Sequence, residues 1–336
     1  MYTPVYNKRR VLKFKQFNNH GYSLFSVLGK EVIIGVLSVA TLRCADAAAQ
    51  TTSVAVEPDT TWQRTVEMNE VNVTGTRAPL TVRQQARMVT VLDREAIAAA
   101  PVQSVNDLLK YVIGVDVRQR GDLGIQTDIS IRGGTFDQIT LLLNGVNICD
   151  PQTGHNAADF PVDLNDIERI EILEGPAGRV YGTSSLLGAI NIVTQTDKQS
   201  HVAAHVDGGS YGLIGGGIRF NFTKGNVSNQ ISGNMNRSDG ATDNSDFKTQ
   251  HAFYQGCFTH SQVDVKWQAG YSNKDYGANT FYSPKYADQF EHTRKYFASI
   301  QAETKGFFHL LPSVYWTQAD DRFELIRGDE SKVPFN

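Results

Sequence analysis

Cysteine is scarce, charge is nearly balanced, and long hydrophobic runs are missing. Only three cysteines occur in 336 residues. Cys44 falls in a leader-like N-terminal segment. Cys149 and Cys257 leave one disulfide or two free thiols open, and their placement in different apparent domains favours free thiols. A net charge of −3 gives no support to a nucleic-acid partner. Hydrophobic residues make up 40% and mean hydropathy is −0.31, which excludes a helical membrane protein. A membrane β-barrel stays open, because lipid-facing and lumen-facing residues alternate along its strands and average out. His155 has no second histidine at metal-ligand spacing, so it reads as a solvated loop histidine.

What is present begins with an export-like leader over 1–49. Lys8, Arg9, Arg10, Lys13 and Lys15 form a basic front. The apolar run from Val32 to Leu42 is shorter than the roughly 20 residues a bilayer-spanning helix needs. Ala45, Ala47, Ala48 and Ala49 follow, giving the basic, apolar, small-residue order of a secretory signal. Residues 50–67 are polar and without period, as expected of a flexible arm. Glu70-Val71-Asn72-Val73-Thr74 then alternates as a short strand-former, the type of segment that adds a strand to a partner's sheet edge.

From Met88 the pattern becomes mixed α and β. Met88–Leu92 reads as a strand, Asp93 caps a short helix ended by Pro101, and Ser104 with Asp107 opens a second helix. Strands follow at Val115–Arg118, Ile129–Arg132 and Ile139–Leu143. Asn144-Gly145 signals a tight turn, since both positions tolerate positive φ. In Asp166–Thr194, Ile170 and Ile172 occupy one strand face, with Glu168, Arg169, Glu171 and Glu174 around the other. Gly175-Pro176 stops that strand, a helical turn is expected over Ala177–Tyr181, and Gly188–Thr194 returns as a strand. Arg132 beside the carboxylates of 168, 171 and 174 suggests an internal ion network of Arg132, Glu168, Arg169, Glu171 and Glu174.

Strand, Gly-Pro, short turn, Tyr181-Gly182 and Gly188-Ala189-Ile190-Asn191-Ile192-Val193-Thr194 together resemble the end of the plug domain of TonB-dependent outer-membrane receptors. Upstream, Asp107-Leu108-Leu109 with Gly114-Val115, Ile131-Arg132-Gly133 and Leu143-Asn144-Gly145-Val146 resemble further plug motifs, with Ile113 standing where that family has proline. The resemblance implies that residues 70–74 are the TonB box, the contact for TonB and its inner-membrane energising complex. It also implies a substrate-facing plug loop at Asp150, Gln152, Thr153, His155 and Asn156.

From His201 the period is two. Val202, Ala204 and Val206, then Ile214 to Phe222, Val227 to Met235, Val263 to Tyr271, Tyr296 to Ala302 and Phe308 to Trp316 alternate with polar neighbours. Connections are short at Lys224–Asn226 and Lys305-Gly306 and long at 238–247 and 275–290, an asymmetry expected of membrane barrels. Phe222, Tyr271 and Trp316 are expected near strand ends as an interfacial girdle. The fold class is therefore an α+β plug domain, 68–195, followed by part of an antiparallel transmembrane β-barrel, 196–336. About seven strands are expected against about 22 in a plugged transporter, so the chain reads as truncated.

The functional expectation is energy-coupled uptake of a scarce nutrient, cobalamin or an iron-siderophore, across the outer membrane of a Gram-negative bacterium, with no enzymatic step and no required cofactor. A calcium site at Asp239, Asp243 and Asp246 is the only metal option. Two rivals are weighed. Gly208-Gly209-Ser210-Tyr211-Gly212 contains the G-x-S-x-G pattern of an esterase elbow, with Ser210 as nucleophile, but the elbow needs a following helix and the next residues alternate with period two. A secreted β-rich adhesin is the other.

Overall fold

The computed structural model describes residues 10–13, 72–73, 80–81, 89–150, 159–175, 186–194, 196, 199–329 and 331. All of them belong to the unit formed by Met1–Gln16 and Glu70–Asn336. The second unit, Phe17–Asn69, lies outside the described residues, and with it most of the expected leader, the expected arm and Cys44.

Three short strands come first: β1 (Arg10–Lys13), β2 (Asn72–Val73) and β3 (Leu80–Thr81), the last two paired with each other. A small α+β domain follows. It comprises β4 (Val89–Leu92), α1 (Arg94–Ala99), α2 (Val105–Leu109), β5 (Val115–Arg120), β6 (Gln126–Ile131), β7 (Ile139–Leu143), β8 (Val146–Asn147), β9 (Ile167–Glu174) and β10 (Gly188–Thr194). Both helix starts follow their caps: Asp93 Oδ1 accepts from Ala96 N at 2.8 Å and Ser104 Oγ from Asp107 N at 3.1 Å. The β7–β8 turn is Asn144-Gly145, with φ of 52° and 79°. The main sheet runs β4-β9-β10-β7-β8, with β10 parallel to β7 and the other neighbours antiparallel; β5 and β6 form a separate hairpin.

Fully buried Ile131, Leu141, Leu143, Ile170, Ile172, Ile190 and Ile192 build the core on one face of this sheet. Burying each side chain of this size contributes about 1.5–3 kcal/mol. The opposite face is covered as well. Leu142, Leu173 and Ala189 form a second small cluster there beside the buried Glu171, while Glu174, also buried, ends β9 on the side of Ile170 and Ile172.

The second half is a sheet of long antiparallel strands: β11 (His201–Gly208), β12 (Ile214–Lys224), β13 (Val227–Ser238), β14 (Phe247–Thr259), β15 (Val263–Gly277), β16 (Phe290–Thr304) and β17 (Ser313–Glu324), each paired with the next in chain order. β1 lies antiparallel on the free side of β11. Among the described residues the sheet does not close on itself.

Its register places Val202, Phe220, Ile231, Tyr254, Ala269, Ala298 and Trp316 side by side in one row across seven strands. This face is uncovered: Val206, Ile214, Phe222, Ile231, Ile300 and Val314 are all more than half exposed. A soluble two-layer sandwich would cover it.

Short and long connections alternate as expected at 225–226, 260–262, 239–246 and 278–289. The last one differs: residues 305–312 connect β16 to β17, so Phe308 and Leu310 belong to a connection and not to a strand. Phe222 and Trp316 lie close to strand ends. Tyr271 sits in the middle of β15, packed against Tyr296 with ring centroids 5.2 Å apart. Residues 209–213 form the β11–β12 hairpin, with Tyr211 and Gly212 at positive φ. An extended strand follows Ser210, so the strand-to-helix elbow an esterase needs is absent.

Candidate functional site

The covered face of the long-strand sheet meets the small domain along rows of polar side chains. Asn221, Gln230, Gln255, Gln268 and Ser299 stand in register on five adjacent strands, and all are buried. Each sits on the alternate position to the apolar row outside, so one strand period builds both faces.

Three contact groups hold the small domain to this face. At the turn before β9, Asp166 accepts from Gln230 Nε2 and Ser232 Oγ, each at 2.8 Å, while Asp163 accepts from Asn234 Nδ2 at 2.9 Å and Arg219 donates to the Asn165 carbonyl. From the other side, Arg94 donates to the carbonyls of Leu164 and Ile167 and braces the same turn. Burial, and next the charge of Asp163, push the Asp166 carboxyl up to about 6.

The second group surrounds the Asn144-Gly145 turn. Asn144 Nδ2 donates to Gln268 Oε1 at 2.6 Å and to Thr194 Oγ1 at 2.8 Å, Gln301 donates to the Asn144 carbonyl at 3.1 Å, and Thr194 Oγ1 donates to Gln255 at 2.6 Å. In the third group, Lys274 pairs with Asp159 and donates to the Ile125 carbonyl at 3.0 Å, Thr293 donates to Asp159 at 3.0 Å, and Lys295 donates to the Ile148 carbonyl at 3.0 Å. The apolar exceptions are Phe253 and Phe297, which stack 6.3 Å apart and join the small domain's core. They close in over Gly270, where a Cβ would collide with Phe297 and Pro161.

A model of the family described as the TonB-dependent receptor plug domain matches residues 81–189, the small domain. That domain is a TonB-dependent receptor plug. The vitamin B12 transporter BtuB of Vibrio vulnificus (strain CMCP6) is 32% identical over 136 residues, 40% of this chain and 22% of that protein. Among solved structures, the unliganded ferric citrate transporter FecA matches with a TM-score of 0.63 at 16% identity, over 78% of this chain and 44% of that one. The alcaligin outer-membrane receptor FauA of Bordetella pertussis matches with a TM-score of 0.57 at 14% identity, over 74% and 41%. The chain thus spans about a fifth of the curated relative and under half of these receptors. At these identities the structures speak for the fold alone: a plug followed by the antiparallel strands of a barrel wall.

Several residues singled out in the sequence lie outside the described ones: Glu70, Val71 and Thr74 of the TonB-box segment, Gln152, Thr153, His155 and Asn156 of the plug loop, and the turn expected over 177–181. Asn72 and Val73 form β2. Asp150 is half-buried at the start of the plug loop.

Among the described residues, the charged side chains of the plug include two ion pairs. Arg132 meets Glu174 at 2.5 Å, Arg169 meets Glu171 at 2.8 Å, and Glu168 joins neither. Glu171 also accepts from Asn191 Nδ2 at 3.0 Å, and Asn191 accepts from Gly145 N, which ties β9 to the Asn144-Gly145 turn. The calcium option is not supported. Asp239 pairs with Arg237 and Asp246 with Arg327, and among the described residues no three His, Cys, Asp or Glu side chains could hold a metal ion. Cys149 and Cys257 are free thiols, and burial pushes the Cys149 thiol up.

The polar rows of the wall went unread in the sequence. The alternation was visible, but nothing marked the amide positions between the apolar ones as a docking surface.

Proposed function

We propose that this chain supplies the plug and the first wall strands of a receptor that takes up a scarce nutrient across the outer membrane of a Gram-negative bacterium, driven through TonB. The observation that carries the reading is the two-faced wall. One face presents an uncovered apolar belt suited to lipid, and the other receives a compact plug through hydrogen bonds that water can replace. No bond to the nutrient is made or broken in such a task. The wall provides the path, the plug blocks it, and force on the plug opens it.

TonB would engage the Glu70–Thr74 segment by strand addition, which suits a short alternating run in front of the plug. The loop with Asp150, Gln152, Thr153, His155 and Asn156 would face the nutrient. Cobalamin is favoured over an iron-siderophore, because a curated relative 32% identical over 136 residues is a vitamin B12 transporter. The deciding experiment makes this protein the sole receptor in a cobalamin-requiring strain and follows labelled cyanocobalamin, and in parallel a ferric siderophore, with and without TonB. TonB-dependent accumulation of cyanocobalamin is the expected result, and accumulation of the siderophore alone would reassign the substrate. Placing a cysteine by Val73→Cys and cross-linking it to TonB tests the contact, and no adduct in either ligand state would remove it. Recovery of the protein in the soluble secreted fraction would favour an adhesin.

A further inference from the structure

At the long-connection end of the wall, three connections are laced together. Asn244 Nδ2, in the β13–β14 connection, donates to the carbonyls of Ala287 and Gln289 in the β15–β16 connection at 2.9 and 2.6 Å. Asn279 donates to the Asp243 carbonyl at 2.7 Å. Arg327, beyond β17, forks onto Asp246 at 2.6 and 3.0 Å, donates its backbone N–H to Asp288, and lies 4.6 Å over the Phe290 ring. Such cross-bracing makes the connections move as one piece.

That piece grips one part of the plug, the β5–β6 hairpin. Ala241 N donates to Asp122 at 2.9 Å, but this contact is exposed and worth little. Phe281 seats on the hairpin, and a Cβ at Gly121 would collide with its ring. Next to it, the Tyr282 hydroxyl accepts from Gln126 Nε2 at 2.7 Å and donates to Glu291 Oε2 at 2.6 Å. Gln126 and Glu291 are almost wholly buried, at 2% and 5% exposure, whereas Tyr282 is 42% exposed. Gln126 also accepts from Arg120, which is paired with Asp128 across the hairpin. Burial and then Glu291 push the phenol well up, so it remains a donor throughout the physiological range.

We propose that the Tyr282 hydroxyl is the catch by which the laced outer connections hold the β5–β6 hairpin of the plug, and that this catch must open for the nutrient to pass. The inference rests on the transport reading and adds a residue to it. Tyr282 is the one member of the Gln126–Tyr282–Glu291 junction reachable from outside. A hydrogen-bonding ligand seated among the outer connections competes for its hydroxyl and loosens the hairpin without touching the plug's core.

The test uses the receptor as its gene encodes it, in outer-membrane vesicles. Tyr282→Phe keeps the ring against Phe323 and removes both hydrogen bonds. Amide exchange over residues 115–131 is expected to rise roughly tenfold, while exchange over β9 and β10 stays unchanged. Glu291→Gln keeps an acceptor for the phenol and is expected to change exchange far less. In a second arm, Gln126→Cys and Tyr282→Cys are bridged by a short reducible cross-linker. Uptake of labelled cyanocobalamin is expected to stop and to return on reduction. Unchanged exchange in Tyr282→Phe, or continued uptake by the bridged protein, overturns the proposal. If the wild type takes up nothing yet Tyr282→Phe shows the exchange change, the transport reading falls and the catch stands.

Discussion

Between the interior of the plug and its seam with the wall, the chemistry of what is buried reverses. Inside, Ile170, Ile172, Ile190, Ile192, Leu141 and Leu143 pack at essentially no exposure. At the seam the buried side chains are Asp159, Asp166, Gln230, Ser232, Gln255, Gln268, Lys274, Thr293 and Lys295. The two regions share strands: Leu143 ends in the core while its carbonyl accepts from Gln268. An apolar core loses its whole burial energy when opened, whereas a seam hydrogen bond, worth about 1 kcal/mol net, is replaced by one to water. The difference fits the proposed reading, in which the plug keeps its own shape and parts from the wall.

The largest effect is expected where the seam carries charge. Lys274→Met takes its ion-pair partner from the buried Asp159, which keeps the Thr293 hydrogen bond and the more distant charge of Lys295, and breaking such a pair costs about 3–5 kcal/mol. The urea concentration that frees the plug should fall sharply. Lys274→Met combined with Asp159→Leu turns the same spot apolar, and buried pairs replaced in this way are often neutral or stabilising. The doubly substituted plug should be held at least as firmly as the wild type while uptake declines. If it transports normally, the polar seam is not what allows release.

An interior change should behave in the opposite way. Ile172→Ala removes fully buried methyl groups and should cost the plug about 2–5 kcal/mol, read as faster proteolysis within 89–194. Seam contacts such as Asp166 to Gln230 should survive it, so the urea needed for release should change little at temperatures where the plug stays folded.

Next comes the pH response of the seam. Asp166 titrates near 6 in the folded protein against 3.8 unperturbed. Between these values the folded state holds more protons than the unfolded one, so stability declines as pH rises. The full contribution is present below about 4 and lost above about 6, and a gap of this size corresponds to about 3 kcal/mol. Asp166→Asn keeps an acceptor and removes the titration. Plug release by urea at pH 4 and pH 7 should differ in the wild type and differ much less in the variant. An equal pH response in both would assign it to another group.

Much of this architecture could be read from the chain. The caps Asp93 and Ser104, the Asn144-Gly145 turn and the seven long strands are local, because each depends on residues within a turn or a strand period. What could not be read depends on what a face meets. Glu171 is expected in an internal ion network and is buried, but its hydrogen bond from Asn191 depends on the pairing of β9 with β10, which alternation does not show. Glu168, next to Arg169 in sequence, joins neither the Arg132–Glu174 nor the Arg169–Glu171 pair. Gln230, Gln255 and Gln268 show only a polar alternation in sequence, and their shared row exists through register across two successive hairpins. Tyr271 ends the apolar alternation of β15 but not the strand, which continues to Gly277.

The smallest expected effect separates the seam from the plug's outer charges. Arg132 sits at φ 52° and reaches Glu174 through Nε at 2.7 Å and Nη2 at 2.5 Å, but its side chain is 52% exposed. Glu174 is buried, but the arginine end is open to water, which discounts the pair toward the about 0.2–1 kcal/mol of exposed pairs. Arg132→Gln should therefore cost the plug less than about 1 kcal/mol, and Arg132→Gly should cost even less, since glycine relieves the left-handed backbone that arginine occupies at some expense. Urea unfolding of the plug at low and high salt checks both, with the wild-type advantage shrinking in salt. A loss of several kcal/mol in Arg132→Gln would mean that the Arg132–Glu174 pair belongs with Lys274–Asp159 as a buried fastening, and that the division between a firm plug and a releasable seam is drawn in the wrong place.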